Sequence, residues 1–262
     1  MSVLGFFSGL MLAYAATKYQ QNKNPLEDII SKKLPGANCG ACGLAGCSAY
    51  ATALVKDNIA IDLCTVGGQE LTKELASILG KEAPLGKARQ IAQIKCNRQE
   101  NIDKKYNYQG IKTCKAINLL SDYYFSCSFS CLGQGDCIKS CAFDAIHLNE
   151  NNMPIINPDK CTACGNCVAV CPKNLITLVS HLPKHFVFCN SQNKGAITRK
   201  NCSVGCIGCG ICTKQCPFGA ITIENNLAKV DEEKCTNCGI CAQKCPTKSI
   251  MFIDDKPKLS NG

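Results

Sequence analysis

The hydrophobic and polar positions divide the chain into three parts. Residues 1–17 carry no charged side chain. After a polar stretch broken by Pro25 and Pro35, the segments SAYATALVKDNIAI and LTKELASILGK have the apolar spacing of helices, and Ser48 is a candidate N-cap. In the C-terminal two thirds, β-prone pairs such as AIHLNENNMPII and AITIENNLAKV have Asn-rich centres that favour hairpins. The pattern predicts an α+β protein with an N-terminal helix, a small helical module and a sheet-containing region.

The N-terminal apolar run predicts a membrane helix over residues 1–19. A spanning helix needs about 20 apolar residues, with about 17 at the low end, so this run is only just long enough. Lys18 and Lys23 follow it. By the positive-inside rule they place the rest of the chain on the cytoplasmic side of the membrane. Residues 20–35 are interpreted as a linker.

The number and spacing of the cysteines add the most to the predicted function. The chain has 24 cysteines in 262 residues. It is too long for a small secreted disulfide scaffold and shows no cleavable signal pattern. Many of the cysteines recur in tight runs, where neighbouring Cα atoms rarely suit a network of disulfides. Metal coordination by sets of four thiolates is therefore favoured over disulfides.

Three runs have the spacing C-x2-C-x2-C-x3-C followed by proline. They are CTACGNCVAVCP (161–172), CIGCGICTKQCP (206–217) and CTNCGICAQKCP (235–246). This is the bacterial ferredoxin run, in which three thiolates bind one cluster and the fourth binds its partner cluster. Zinc sites pair two CxxC knuckles and have no use for a third cysteine at that spacing. The runs predict [4Fe–4S] clusters.

The region beyond about residue 90 repeats itself. IAQIKCN and KHFVFCN open two halves, each continuing into a leading cysteine run and a second run. The repeat predicts tandem bacterial-type dicluster ferredoxin modules at 90–183 and 184–256. The first leading run departs from the pattern, because its cysteines are more widely spaced and Ala142 replaces the proline. The spacing leaves open which thiols bind there.

Swapped pairing of the runs predicts four cluster sites, each with three cysteines from one run and one from the other. The predicted sets are Cys127, Cys131, Cys137 and Cys171; Cys161, Cys164, Cys167 and Cys141; Cys206, Cys209, Cys212 and Cys245; and Cys235, Cys238, Cys241 and Cys216.

A different cluster loop is predicted in a small module at residues 36–80. The stretch NCGACGLAGCSAYA supplies Cys39, Cys42 and Cys47, and Cys64 follows further on. The glycines between these cysteines let the backbone fold closely around a cluster and direct amides at its sulfurs.

Four cysteines remain after these assignments: Cys96, Cys114, Cys189 and Cys202. They occupy equivalent positions in the two halves, so two from each half can form a shared sixth cluster site. The alternative is that they are buried thiols, which pack as small hydrophobic side chains.

The formal net charge of +9 is no indication of nucleic-acid binding. Each oxidised cluster with four thiolates carries about −2, so six add about −12 and bring the total to roughly −3. The basic stretches KEAPLGKARQ and NIDKKYNYQG are either docking sites for an acidic redox partner or solvated surface. His147, His181 and His185 show no ligand spacing. No phosphate loop, nucleophile–base pair, flavin or nicotinamide motif is visible, so one-electron transfer is the predicted chemistry.

These features resemble, over nearly the whole chain, the B subunit of the Rnf complex (also called Rsx). The resemblance rests on the apolar N-terminal helix, LPGANCGACGLAGCSAYA with Cys64, and tandem ferredoxin modules containing KGAITRKNCSVGCIGC. It implies an electron-transfer subunit of an ion-translocating ferredoxin:NAD⁺ oxidoreductase at the cytoplasmic membrane. Ferredoxin and the other subunits are the implied partners, and NAD⁺ reduction and ion pumping would occur in those subunits.

The resemblance also implies a direction of flow. Electrons would enter the tandem ferredoxin modules and leave through the Cys39/Cys42/Cys47/Cys64 cluster near the membrane. The alternative function is a stand-alone polyferredoxin or reductive activator that donates electrons to a soluble enzyme, such as a corrinoid enzyme.

Overall fold

The computed structural model describes residues 2–18, 24–84, 86, 88–98, 102–120, 124–180 and 185–252. The chain divides into two compact units, Met1–Pro84 and Leu85–Gly262. Lys23, His181 and the predicted module boundary at residues 183 and 184 lie outside the described residues.

The first unit is helical. Its helices are α1 (Ser2–Lys18), α2 (Pro25–Lys33), α3 (Cys47–Lys56) and α4 (Gly68–Leu79). Ile30 of α2, Tyr50 and Leu54 of α3, and Leu75 of α4 are the largest fully buried side chains of its core. Much of the segment predicted as a linker is therefore a helix packed into this unit.

The start of α3 differs from the prediction of a Ser48 N-cap. The N-cap is Gly46, which has no side chain to accept a hydrogen bond. Asn38 supplies the missing acceptor, because its Oδ1 accepts from the backbone N–H of Cys47 at 2.8 Å. The cap therefore comes from the cysteine loop itself and holds the first turn of α3 against it.

The N-terminal segment is a helix, but the prediction that it spans a membrane is not supported. Helix α1 has 17 residues. Within the described part of the chain, no helix is both long enough and apolar enough to cross a bilayer. Phe7 and Met11 on α1 are exposed.

The second unit contains short helices and strands in two successive sets. The first set is β1 (Gln90–Ile94), α5 (Cys114–Leu120), α6 (Asp136–Lys139), β2 (Ile146–Leu148), β3 (Pro154–Ile156), α7 (Asn166–Val170) and β4 (Ile176–Ser180). The second set is β5 (His185–Val187), α8 (Gly195–Asn201), α9 (Ile211–Gln215), β6 (Ile221–Glu224), β7 (Leu227–Val230), α10 (Ile240–Lys244) and β8 (Ile250–Phe252).

The strand pairing repeats between the two sets. In the first, β1 pairs with β4 and β2 with β3; in the second, β5 pairs with β8 and β6 with β7, all antiparallel. The predicted hairpins are confirmed. Asn225 and Asn226 connect β6 and β7 with φ of 49° and 61°, the left-handed values that a two-residue hairpin turn requires.

Each set encloses a small core in which cysteines stand among aliphatic side chains. Ile94, Ile146 and Ile176 pack with thiols in the first set, and Ile221 and Ile250 do so in the second. The fold thus brings the cysteine runs to the inside of each module.

Candidate iron–sulfur centres

No disulfide joins any of the 24 cysteines, all of which lie in the described part of the chain. Only Cys209 and Cys238 are exposed; the other cysteines are buried or half-buried. Burying so many unbonded thiols in small cores fits a cofactor that occupies the space between them.

The four N-terminal cysteines lie together in the first unit. Burial raises the pKa of the Cys64 thiol, and the neighbouring Cys47 and Cys39 add to this effect. Burial likewise raises the pKa of Tyr50 to about 12, with contributions from Cys64 and Cys42. The structure therefore brings together the four thiols that the sequence grouped.

Two of the ferredoxin sites have the thiols that swapped pairing predicts. One cavity is lined by Cys141, Cys161, Cys164 and Cys167. A second is lined by Cys216, Cys235, Cys238 and Cys241, and also by His185, which the sequence did not place at a site.

The third predicted set centres on the core of the second module. Burial raises the pKa of the Cys212 thiol, and the nearby Cys206 and Cys209 raise it further. Cys206, Cys212 and Cys245 belong to the same hydrophobic core. The same core also contains Cys189, Cys216 and Cys241, so the fourth thiol of this set stays a prediction.

The leading site of the first module differs from the predicted set. Its cavity is lined by Cys114, Cys131, Cys137 and Cys171, so Cys114 stands where Cys127 was expected. Helix α5 begins at Cys114.

A hydrogen bond holds Cys114 at this cavity. The backbone N–H of Lys115 donates to Oδ2 of the buried Asp136 at 3.1 Å. Since Asp136 opens α6, the start of α5 is fixed against α6.

Cys127 lies instead at a cavity shared by the two modules. Cys96, Cys127, Cys189 and Cys202 line it, around about 350 Å³ of empty space that includes some open to solvent. A shared site was predicted, but with Cys114 in place of Cys127. The structure exchanges these two cysteines.

A signal in the sequence identifies this exchange. Cys127-x3-Cys131 has the spacing of Cys202-x3-Cys206, and Cys131 to Cys137 has the spacing of Cys206 to Cys212. In that alignment Cys127 is equivalent to Cys202.

The same alignment places Gln134 opposite Cys209. The leading run of the first module therefore lacks the cysteine that stands second in the leading run of the second module. Cys114 lines the cavity in its place.

Backbone amides donate to several of the thiols. The N–H four residues further along donates to Sγ of Cys141, Cys171 and Cys216, each at 3.4 Å. The Sγ atom of Cys245 instead lies 3.3 Å from the hydroxyl oxygen of Ser249, within hydrogen-bonding distance. Hydrogen bonds to cluster sulfurs are one of the means by which a protein sets the reduction potential.

Burial makes the thiolate form unfavourable at most sites. It raises the pKa of Cys137, Cys167 and Cys189 to about 12 and that of Cys127 to about 11. Cys245 is the exception: burial raises its pKa, but hydrogen bonds from Ser249 and its neighbours bring it below the usual value. Thiolates in such surroundings need a cationic partner, and iron supplies one.

Three family models match the chain. The family described as "Putative Fe-S cluster" matches residues 34–66, and 4Fe-4S dicluster domains match residues 128–178 and 205–249. Together with the cavities, these matches define the class: the chain is an iron–sulfur protein with a ferredoxin-type dicluster domain in each of two modules.

Proteins with similar sequences show which family of iron–sulfur proteins this chain belongs to. The chain is 41% identical over 237 residues to the B subunit of the Na⁺-translocating ferredoxin:NAD⁺ oxidoreductase complex of Acetobacterium woodii, covering 90% of this chain and 71% of the relative. It is 43% identical to the B subunit of the proton-translocating ferredoxin:NAD⁺ oxidoreductase complex of Clostridium ljungdahlii, covering 90% and 83%. It is 40% identical to the B subunit of the ion-translocating oxidoreductase complex of Methanosarcina acetivorans, covering 88% of each. The chain belongs to this family, the B subunits of ion-translocating oxidoreductase complexes.

Proposed function

We propose that the chain is the electron-transfer subunit of a membrane-associated, ion-translocating ferredoxin:NAD⁺ oxidoreductase complex. The observation that carries the proposal is that sixteen of the 24 cysteines line four cavities in sets of four, in a chain of this family. A [4Fe–4S] cluster held by four cysteines supplies one-electron transfer. The stand-alone polyferredoxin is less favoured, because relatives along nearly the whole chain are named as subunits of such complexes.

We propose residues that would hold six clusters, using the cavities and contacts described above as support. The proposed sets are Cys39, Cys42, Cys47 and Cys64; Cys114, Cys131, Cys137 and Cys171; Cys141, Cys161, Cys164 and Cys167; Cys96, Cys127, Cys189 and Cys202; Cys206, Cys209, Cys212 and Cys245; and Cys216, Cys235, Cys238 and Cys241.

The second module has the features of an electron acceptor surface. Cys209 and Cys238 are its exposed thiols, and the apolar side chain of Phe218 is half exposed. Lys214 is exposed on α9. Exposed ligands beside apolar and basic side chains suit transient docking of an acidic carrier such as ferredoxin.

The first unit is proposed to pass electrons to the other subunits. Its four thiols share a unit with α1, whose side chains at Phe7, Leu10, Met11 and Leu12 are exposed. Such an apolar surface suits contact with membrane-associated partners. The clusters are proposed to lie on the cytoplasmic side, where thiols stay reduced.

Replacement of Cys64 with Ser tests the proposal in membranes that contain the assembled complex. The variant should still accept electrons from ferredoxin in the modules beyond residue 85, while ferredoxin-driven NAD⁺ reduction and the resulting ion gradient are lost. Ser48→Ala in the same unit is the matched control and should retain both. Normal NAD⁺ reduction in a Cys64→Ser complex that demonstrably lacks one cluster would refute the proposed path.

A further inference from the structure

A buried cation stands at the cavity shared by the two modules. Arg98 lines that cavity together with Cys96, Cys127, Cys189 and Cys202. Its side chain is only 4% exposed. Arginine is almost never fully buried in proteins unless its charge is paired, so this position calls for an explanation.

Only part of the guanidinium is satisfied by protein groups. Nη2 donates to the backbone oxygen of Asn151 at 2.9 Å, and the guanidinium carbon lies 4.5 Å from the centroid of the Phe125 ring. Nε and Nη1 are also buried, and neither has a hydrogen-bond partner among the described residues. Within the described part of the chain, the N–H groups of Nε and Nη1 are thus available to a ligand in the cavity.

The four thiolates of a [4Fe–4S] cluster are such a ligand. The oxidised cluster carries about −2 with its cysteines, and uptake of one electron brings it to about −3. A fixed positive charge therefore stabilises the reduced form more than the oxidised form. The low dielectric of a buried site strengthens this difference.

We infer that Arg98 sets the reduction potential of the cluster held by Cys96, Cys127, Cys189 and Cys202, and raises it relative to an uncharged side chain. The inference rests on the proposed function, since it requires a cluster in that cavity. Arg98 acts on the reduction potential through its charge and does not bind iron. Placed between the modules, the more easily reduced cluster would accept an electron from either of them.

The test uses the full chain purified without oxygen, with Arg98→Gln, Arg98→Lys and a control, Arg89→Gln. Arg89 is exposed and donates to the backbone oxygen of Pro158, so it shares the residue type but not the burial. Iron content and potentiometric titration with electron paramagnetic resonance (EPR) are the readouts. Arg98→Gln should lower one midpoint potential by about 59 mV or more. For a one-electron couple this shift corresponds to a tenfold or greater change in the equilibrium constant of reduction.

Arg98→Lys should lower that midpoint potential less than Arg98→Gln does, since lysine keeps the charge but loses the planar fork. Arg89→Gln should change no midpoint potential. Loss of one cluster in Arg98→Gln but not in Arg98→Lys would also support the charge role. Full iron with unchanged midpoints in Arg98→Gln would overturn it, and so would equal cluster loss in both Arg98 variants, which would indicate packing alone. Iron near 20 per chain in the unaltered protein, with the other five sites filled, would refute the shared cluster itself.

Discussion

The two ferredoxin modules draw the cysteines of their leading sets from different parts of the chain. In the second module, the leading run supplies Cys206, Cys209 and Cys212 from one loop and the start of α9. In the first, Gln134 occupies the position of Cys209, and Cys114 lines the cavity from a helix that lies earlier in the chain. The difference teaches that a cluster needs four thiols at the right places in space, and that their order along the chain is secondary.

The segment that carries Cys114 has a core of its own. Ile117, Tyr124, Phe125 and Leu132 are buried together there, and the rings of Tyr124 and Phe125 meet edge to face with centroids 4.7 Å apart. In the second module a single short helix, α8, occupies the corresponding spacer. The longer spacer of the first module therefore provides both a further thiol at the cavity and the packing that fixes it.

Double substitutions in the first module give the largest expected effect. Cys114 and Cys131 lie at one cavity, so Cys114→Ala with Cys131→Ala should remove one cluster and leave about five intact. Cys127 and Cys131 lie at different cavities, so Cys127→Ala with Cys131→Ala should leave about four intact. Mössbauer and EPR spectroscopy of the anaerobic protein count intact [4Fe–4S] clusters.

Cys206→Ala with Cys209→Ala, in the regular module, is the matched control and should remove one cluster. If the two first-module pairs give the reverse counts, five for Cys127/Cys131 and four for Cys114/Cys131, the grouping predicted from swapped runs is right and the exchange is wrong.

A smaller effect is expected from the buried carboxylate that has no counterpart in the second module. Asp136 is 8% exposed, and the equivalent position is Ile211, which is 37% exposed. Asp136→Asn keeps an acceptor for the Lys115 N–H but removes the negative charge. The midpoint of one cluster should therefore rise, by about 59 mV if the reduction equilibrium changes tenfold.

Redox titration with EPR detection checks this shift. Ile211→Asn serves as the control and should leave every midpoint in place. A drop in potential with Asp136→Asn, or an equal rise with Ile211→Asn, would show that the Asp136 charge does not act on the site.

The smallest expected effect is on stability, and it concerns the residue that directly precedes the second cysteine of a ferredoxin run. Gly208 has φ of 63°, and a Cβ there would lie 2.7 Å from the backbone oxygen of Asn226. Gly208→Ala should destabilise the second module by about 2 kcal/mol. Ala163 holds the equivalent position in the second run of the first module with φ of 55°, so Ala163→Gly should stabilise that module by up to about 1 kcal/mol.

The denaturant midpoint at which visible cluster absorbance is lost measures both changes. If the two substitutions shift the midpoint in the same direction, left-handed backbone strain is not the cause.

Much of the second unit could be predicted from sequence because its signals are local. The x2, x2, x3 spacing and the Asn-rich hairpins act over a few residues, and the hairpins β2–β3 and β6–β7 follow them. Two of the predicted thiol sets each line one cavity. The pairs β1–β4 and β5–β8 join distant segments and were not predicted. The Ser48 cap was mispredicted because a group earlier in the chain decided it. Asn38 caps α3 from nine residues away, and Ile30 is buried against α3 and α4.

By itself the sequence determined the kind of chemistry and the number of possible sites, since thiol count and spacing depend only on residue identity. Tertiary structure decided which thiols share a site. Cys114 and Cys127 are chemically identical, and both precede the same run. The hydrogen bond from Lys115 to Asp136 and the aromatic core of the spacer bring Cys114 to one cavity and leave Cys127 at the other. Local spacing specifies a ligand loop, but only the packing of distant segments fixes the fourth thiol.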